Sequence, residues 1–223
     1  MKILALDTST EYCSIALLLD GEVLSREIFA ERRHSELILP MLQRLLDESG
    51  LTLARLDGIA FGAGPGSFTG LRIACGVTQG LAFGADLPVM GVCTLEALAQ
   101  EAGNGNVITA LDARMNEIYH AAYTKAVDGW QTVSGPALCL PQHAPLMPGC
   151  NWTGCGSGFS MHAEALRTRY DGSVSRIISG LRPRARAIVE LAAPGFAKGL
   201  GLDPADAAPL YIRNKVALKE GER

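Results

Sequence analysis

At 223 residues, the chain is long enough for one large domain or two small ones with ample core. Its 48% hydrophobic and 19% charged residues exclude a disordered segment. Its net charge of −3 excludes a broadly basic nucleic-acid surface and leaves room only for a local patch. The opening MKILALDTST is too short and too soon charged to be a secretory signal, and no apolar run approaches the roughly 20 residues of a membrane span. Six cysteines, none in a C-x-x-C and several within apolar runs, read as small buried thiols of a reduced compartment. A soluble, cytoplasmic protein with no membrane contact is expected.

Lys2 to Asp7 and Tyr12 to Leu19 read as buried strands. Asp20-Gly21 is a two-residue hairpin signal leading to a third strand, Glu22 to Phe29. His34 to Ser49 is helical, with Leu37, Ile38, Met41, Leu42, Leu45 and Leu46 at helical spacing. Leu39 widens the apolar arc to about half of the wheel, more than a one-sided stripe needs. Ser35 is the expected N-cap and Gly50 the stop, and Pro40 is expected in the first turn, where a missing N–H is tolerated.

The chain is organised around Phe61 to Gly84, FGAGPGSFTGLRIACGVTQGLAFG. An apolar strand, Leu56 to Phe61, breaks into Gly62, Gly64, Pro65, Gly66 and Gly70, with Ser67 and Thr69 as candidate caps of the following helix. On that helix Leu71, Ala74, Cys75, Thr78, Leu81 and Ala82 share one face. Gly76, Gly80 and Gly84 lie opposite, flanked by Ile73, Val77 and Phe83, and only Arg72 and Gln79 make a polar edge. A helix apolar all round wants cover on both sides. Each interior glycine costs about 1 kcal/mol against alanine, so a stripe of three implies close approach by a second helix or a partner protein.

Leu87 to Val92 reads as a strand and Thr94 to Ala102 as a helix, and after the glycine-asparagine linker the pattern restarts. Val107 to Asp112 (VITALD) echoes the opening KILALD. Then come a strand at Glu117 to Tyr123, a second Asp-Gly hairpin at 128–129, and Trp130 to Val133. Asn151 to Thr153 runs into Gly154, Gly156 and Gly158 and a helix from Ser160 to Tyr170. The repetition implies a duplicated α/β fold with a cleft between two lobes, residues 1–104 and 105–183, with 184–223 packing back on the first. The order of elements resembles the actin, sugar-kinase and Hsp70 ATPase superfamily, an analogy that fixes no chemistry.

Chemical candidates are sparse. Asp7, Thr8 and Ser9 end the first strand where that superfamily meets nucleotide phosphates, and the amides of Gly64 and Gly66 are weak candidates for cradling them; the plain alternative is a closed turn. The four histidines (34, 120, 143, 162) show no ligand spacing. No G-x-S-x-G elbow occurs, and Cys75 reads as core. Asp112, Arg114 and Glu117 put three charges at the second half's first turn, lining the cleft or pairing locally. Arg182, Arg184 and Arg186, with Arg213, Lys215 and Lys219, are either contacts for RNA phosphates or a solvated edge.

Taken together, Ile3 to Thr10 (ILALDTST), His34-Ser35-Glu36 with Leu39-Pro40, Gly64 to Arg72 (GPGSFTGLR), Asp112-Ala113-Arg114 with Glu117-Ile118-Tyr119, and Pro209 to Arg213 (PLYIR) resemble the bacterial TsaB (YeaZ) family over the whole chain. GPGSFTGLR is the most specific of these. The resemblance implies a duplicated actin-like (ASKHA, ribonuclease H-like) two-lobed fold. It also implies a part in forming N6-threonylcarbamoyladenosine at position 37 of tRNAs that read ANN codons. The family's partners are the related catalytic subunit TsaD and the ATPase TsaE, which acts through the TsaB–TsaD pair; TsaC supplies the threonylcarbamoyl-adenylate. TsaD relatives carry an H-x-x-x-H metal pair on the helix after the fourth strand; those positions fall here at Thr94 and Leu98, and neither suits iron or zinc.

The expectation is a non-catalytic scaffold that needs no cofactor and meets tRNA only through the complex. Its docking surface is expected on the two helices, with Leu37, Ile38, Met41, Leu42, Leu45, Ile73, Gly76, Val77, Gly80, Phe83 and Gly84 as interface, and the same surface makes a homodimer when the chain is alone. The rival expectation is an ATP-dependent phosphotransferase or ATPase that binds ATP/ADP and uses Asp7 with a cleft Mg²⁺.

Overall fold

A computed structural model describes residues 1–213. Lys215 and Lys219, two of the candidate RNA-contacting cations, and the end of the segment expected to pack back on the first lobe lie outside the described residues.

Two five-stranded mixed sheets share one topology. The first contains β1 (Lys2–Asp7), β2 (Tyr12–Leu19), β3 (Glu22–Phe29), β4 (Gly58–Gly64) and β5 (Val89–Cys93), in the order β3-β2-β1-β4-β5. The second contains β6 (Asn106–Asp112), β7 (Ile118–Ala126), β8 (Gly129–Cys139), β9 (Trp152–Cys155) and β10 (Val174–Ile178), in the order β10-β9-β6-β7-β8. In each, the opening strand pairs antiparallel with its hairpin neighbour and parallel with the fourth strand. The repeated Ala-Leu-Asp strands are therefore equivalent central strands of a duplicated α/β fold.

The first sheet is covered on both faces. Successive side chains of a strand point to opposite sides, so Leu4 and Leu6 join the core under α1 (His34–Glu48) and α2 (Phe68–Ala85), whereas Ile3 and Ala5 pack beneath α6 (Ala185–Ala197). Continuous apolar runs in β1 and β4 are what two-sided cover demands. Between the lobes lies α3 (Thr94–Ala102), whose Leu95, Leu98 and Ala99 pack with Val107 and Tyr123 of the second sheet while Ala97 faces α6. The outer side of the second sheet holds Trp152, Phe159, Leu166 and Tyr170.

Several local expectations change. The first helix starts at His34 with Arg33 at the cap position and no side-chain cap bond, so Ser35 does not cap it. Pro40 lies inside that helix rather than in its first turn. Pro40 and Glu36 are both exposed, which leaves the carbonyl unpaired by proline open to water. The helix expected from Ser160 to Tyr170 is two short ones, α4 (Ser157–Met161) and α5 (Ala163–Arg169), divided at His162. Strand β10 was not anticipated, because VSRII is a half-exposed edge without clean alternation.

The basic residues around Pro183 tie the chain together. Arg182 holds Glu27 through two bonds of 2.8 and 2.6 Å and lies 3.6 Å over the Tyr12 ring. Arg184 bonds Glu101 at 3.0 Å and Arg186 bonds Glu190 at 3.2 Å.

Candidate functional site

The glycine turn and the helix that follows it carry the features the sequence singled out, and the structure uses their two sets of glycines in opposite ways. At the start of α2, Ser67 accepts from the Gly70 amide at 3.3 Å and is the true N-cap. The Thr8 hydroxyl donates to the Gly70 carbonyl at 2.7 Å, pinning the end of β1 to the first turn of α2. A Cβ on Gly66 would lie 2.6 Å from the Ser9 carbonyl oxygen, one on Gly70 would collide with the Thr8 carbonyl, and one on Gly64 would lie 2.9 Å from the Leu210 carbonyl oxygen. These glycines make room for the chain's own backbone.

The nucleotide-site candidates are brought together, but underground. Asp7 is 1% exposed; its Oδ2 accepts from the Ser9 hydroxyl at 2.9 Å and the Ser9 amide at 3.3 Å. Its Oδ1 has no partner and faces Gly62, with Ile188 of α6 alongside. Burial pushes the Asp7 carboxyl up to about 7, against the Ser9 hydrogen bonds that pull it down. Thr94 is buried and its hydroxyl donates to the Pro65 carbonyl, and Leu98 is wholly buried in core. Among the described residues, no group of three or more His, Cys, Asp or Glu side chains could hold a metal ion. No helix among them is long and apolar enough to cross a membrane.

Helix α2 has one covered and one open side. Leu71, Ala74, Cys75, Thr78 and Ala82 are buried, and Ile73 and Val77 are half-buried at the margin. The last turn ends at Asp86 in left-handed conformation, φ 53°. Gly76, Gly80 and Gly84 are exposed, and a Cβ on any of them would meet nothing within 4 Å. Phe83 beside them is 82% exposed. The stripe is an open notch with an unpartnered aromatic ring at its rim.

Helix α1 contributes less to that face than its sequence promised. Ile38, Leu42 and Leu45 are at most 3% exposed and lie in the first lobe's core, so they are not docking residues in this fold. The wide apolar arc misled because one sheet and α2 together cover most of it. Leu37 and Met41 stay half-buried at the edge, and Leu39 is 49% exposed.

Two arrangements involve residues the sequence had singled out without showing their partners. The strap Leu210–Arg213 crosses from the first lobe to the second: the Leu210 amide donates to Ala63 O at 2.7 Å, and Arg213 pairs with Glu117 at 2.7 Å and donates to Ala113 O at 2.9 Å. Tyr211, between them, lies against Phe68 and Arg72. In the second lobe Asp112 Oδ1 bonds His162 Nε2 at 3.1 Å and the Asp112 amide donates to Ser157 Oγ at 3.0 Å. An open groove of about 720 Å³ beside that pair is lined by Leu146, Met161, His162 and Arg169.

Comparison with known proteins fits this architecture. The family described as "TsaD: tRNA N6-adenosine threonylcarbamoyltransferase" matches residues 26–152, more than half of the chain. The protein named "tRNA threonylcarbamoyladenosine biosynthesis protein TsaB" of Escherichia coli is 40% identical, over 99% of this chain and 98% of its own length. The like-named Haemophilus influenzae protein is 37% identical, over 99% and 97%. A solved structure titled "YeaZ from Pseudomonas aeruginosa" is 40% identical and superposes with a TM-score of 0.86, covering 94% of this chain and 99% of that one. Another from the same organism, titled as an uncharacterized protein with similarity to peptidase YEAZ, gives 39% and 0.88, covering 95% and 99%. Shared over nearly their full lengths, sequence and two-lobed fold alike make this chain a member of the TsaB (YeaZ) family.

Proposed function

We propose that this chain is a non-catalytic scaffold subunit for N6-threonylcarbamoyladenosine formation on tRNA. It docks a TsaD-family subunit on the open face of α2 and the adjoining edge of α1. The observation that carries this reading is the glycine stripe: three interior glycines, each costing about 1 kcal/mol against alanine, keep Gly76, Gly80 and Gly84 clear of any intramolecular neighbour. Leu37, Met41, Ile73, Val77 and Phe83 flank the notch and supply apolar contact area. TsaE engages the pair rather than this chain alone, tRNA is met only through the complex, and the same face closes a homodimer when the partner is missing. No cofactor is required of this subunit, and it works in the cytoplasm. The names of the relatives at 37–40% identity support the pathway, and the two core residues at the Thr94 and Leu98 positions support the lack of a metal reaction.

Size exclusion of the purified chain with and without the TsaD-family subunit, coupled to reconstituted tRNA modification, tests the reading. Gly80→Arg should abolish co-elution and leave a folded monomer; undiminished co-elution defeats the placement.

A second reading, an ATP-dependent phosphotransferase, draws on the unpartnered Oδ1 of Asp7. Asp7 is 1% exposed and the glycine turn is filled by the chain's own backbone, which favours the scaffold. ATP turnover by the pure chain, lost in Asp7→Ala, would reverse that preference.

A further inference from the structure

We infer that the Phe68–Arg72–Tyr211 stack is a carboxylate anchor, which takes an Asp or Glu side chain borne on the docking helix of the partner subunit. The inference rests on the docking reading of α2 and adds the charged contact that sets register and specificity.

Arg72 is held flat before any partner arrives. Its guanidinium carbon lies 3.7 Å from the Phe68 ring centre and 5.9 Å from that of Tyr211, and its Nε donates to the Tyr211 hydroxyl at 3.0 Å. The two rings, 5.8 Å apart, are themselves 44% and 47% exposed, so a cluster of apolar rings is kept at the surface around one cation. Among the described residues no carboxylate pairs with Arg72, whereas Arg182, Arg184, Arg186 and Arg213 each have one. In a chain with 23 acidic residues and a net charge of −3, this arginine is held in place by two aromatic side chains rather than by an acid. The bond to Tyr211 occupies only Nε, leaving the terminal nitrogens as a pre-oriented fork, the geometry that binds a carboxylate through two parallel bonds.

Position decides the kind of ligand. Arg72 and Phe83, eleven residues apart on α2, point within about 20° of each other, with Gly76 and Gly80 close to the same face between them. Residues four apart on a helix lie nearly one above the other. A helix laid along the notch therefore runs from Phe83 at one end to the guanidinium at the other, and an acid at that end completes the contact. An RNA phosphate would match the fork equally well, but it has no use for a glycine notch and meets a chain of net negative charge.

The test measures affinity of the full chain for the purified TsaD-family subunit at low and high salt. Arg72→Gln should weaken binding by about tenfold or more, as arginine hot spots do, and Arg72→Glu further. Both should flatten the salt dependence and leave the thermal midpoint of the chain unmoved. Arg72→Lys should recover only part, because a point charge lacks the planar fork. Tyr211→Ala should resemble Arg72→Gln, and Tyr211→Phe should stay near wild type. Replacing the partner's contacting acid with arginine should restore binding to Arg72→Glu. Arg72 variants that bind within about twofold of wild type, or that lose only tRNA retention in filter binding, overturn the anchor. Gly80→Arg keeps the two ideas apart: if it alone abolishes binding, docking stands and the anchor falls; if it too binds normally, docking itself is wrong.

Discussion

Two runs of glycine, separated by less than two helical turns, serve opposite ends. Gly62 to Gly70 are glycine because the chain's own atoms press on them: the Asp7 carboxylate on Gly62, the Ser9 carbonyl on Gly66, the Thr8 carbonyl on Gly70. Gly76, Gly80 and Gly84 are glycine although nothing presses on them at all. The first group is explained by the monomer. The second has no explanation within the monomer, and the docking proposal rests on that difference.

The largest expected effect breaks the comparison on its filled side. Gly70→Ala forces a methyl onto the Thr8 carbonyl and should cost roughly 3–5 kcal/mol, read from chemical denaturation. A near-neutral result would mean the turn is looser than it looks.

Next come two buried titrating groups, one in each lobe, whose pH responses run in opposite senses. Asp7 is raised from 3.8 to about 7, so its contribution to stability is full below pH 3.8 and is lost as pH rises through 7. His120 is fully buried, its Nε2 meets the Tyr170 hydroxyl at 2.8 Å, and burial lowers it from 6.5 to about 4. Its contribution is present above pH 6.5 and lost as pH falls through 4. Between those limits the two trends offset each other in the wild type. Asp7→Asn should uncover acid sensitivity of a few kcal/mol, and His120→Gln should uncover a decline toward alkaline pH, both followed by thermal melts across the range. Identical slopes in all three proteins would refute the burial of both groups.

The smallest effect sharpens the open side. Gly80→Ala should stabilise the isolated chain by about 1 kcal/mol, a rise of roughly 2–4 °C in Tm, while weakening the subunit complex. A lower Tm would show that the notch is already occupied.

Much of the fold could be read in advance because local and tertiary demands coincide. Strands β1 to β3 emerged at their observed ends, since Asp-Gly hairpins and two-sided apolar runs leave little choice of register. The duplication showed through Ala-Leu-Asp, which the second lobe repeats as the opening of its own central strand. The open glycine stripe of α2 was legible in the sequence, since glycine at every fourth position is not demanded by the helix's own packing. In α1 the same reasoning overreached: periodicity counts apolar residues but does not say how much of the arc a sheet and a neighbouring helix will cover, and Ile38, Leu42 and Leu45 went inward. Tyr211 was invisible as a surface residue, because only the strap's path brings it to Arg72.

That path has a temporal side. Tyr211 follows Arg72 by 139 residues, so at ordinary elongation rates α2 emerges from the ribosome roughly ten seconds or more before the ring that steadies its arginine. A half-made polypeptide thus carries the glycine stripe without the finished clamp, which closes only once both lobes have been synthesised and stitched together.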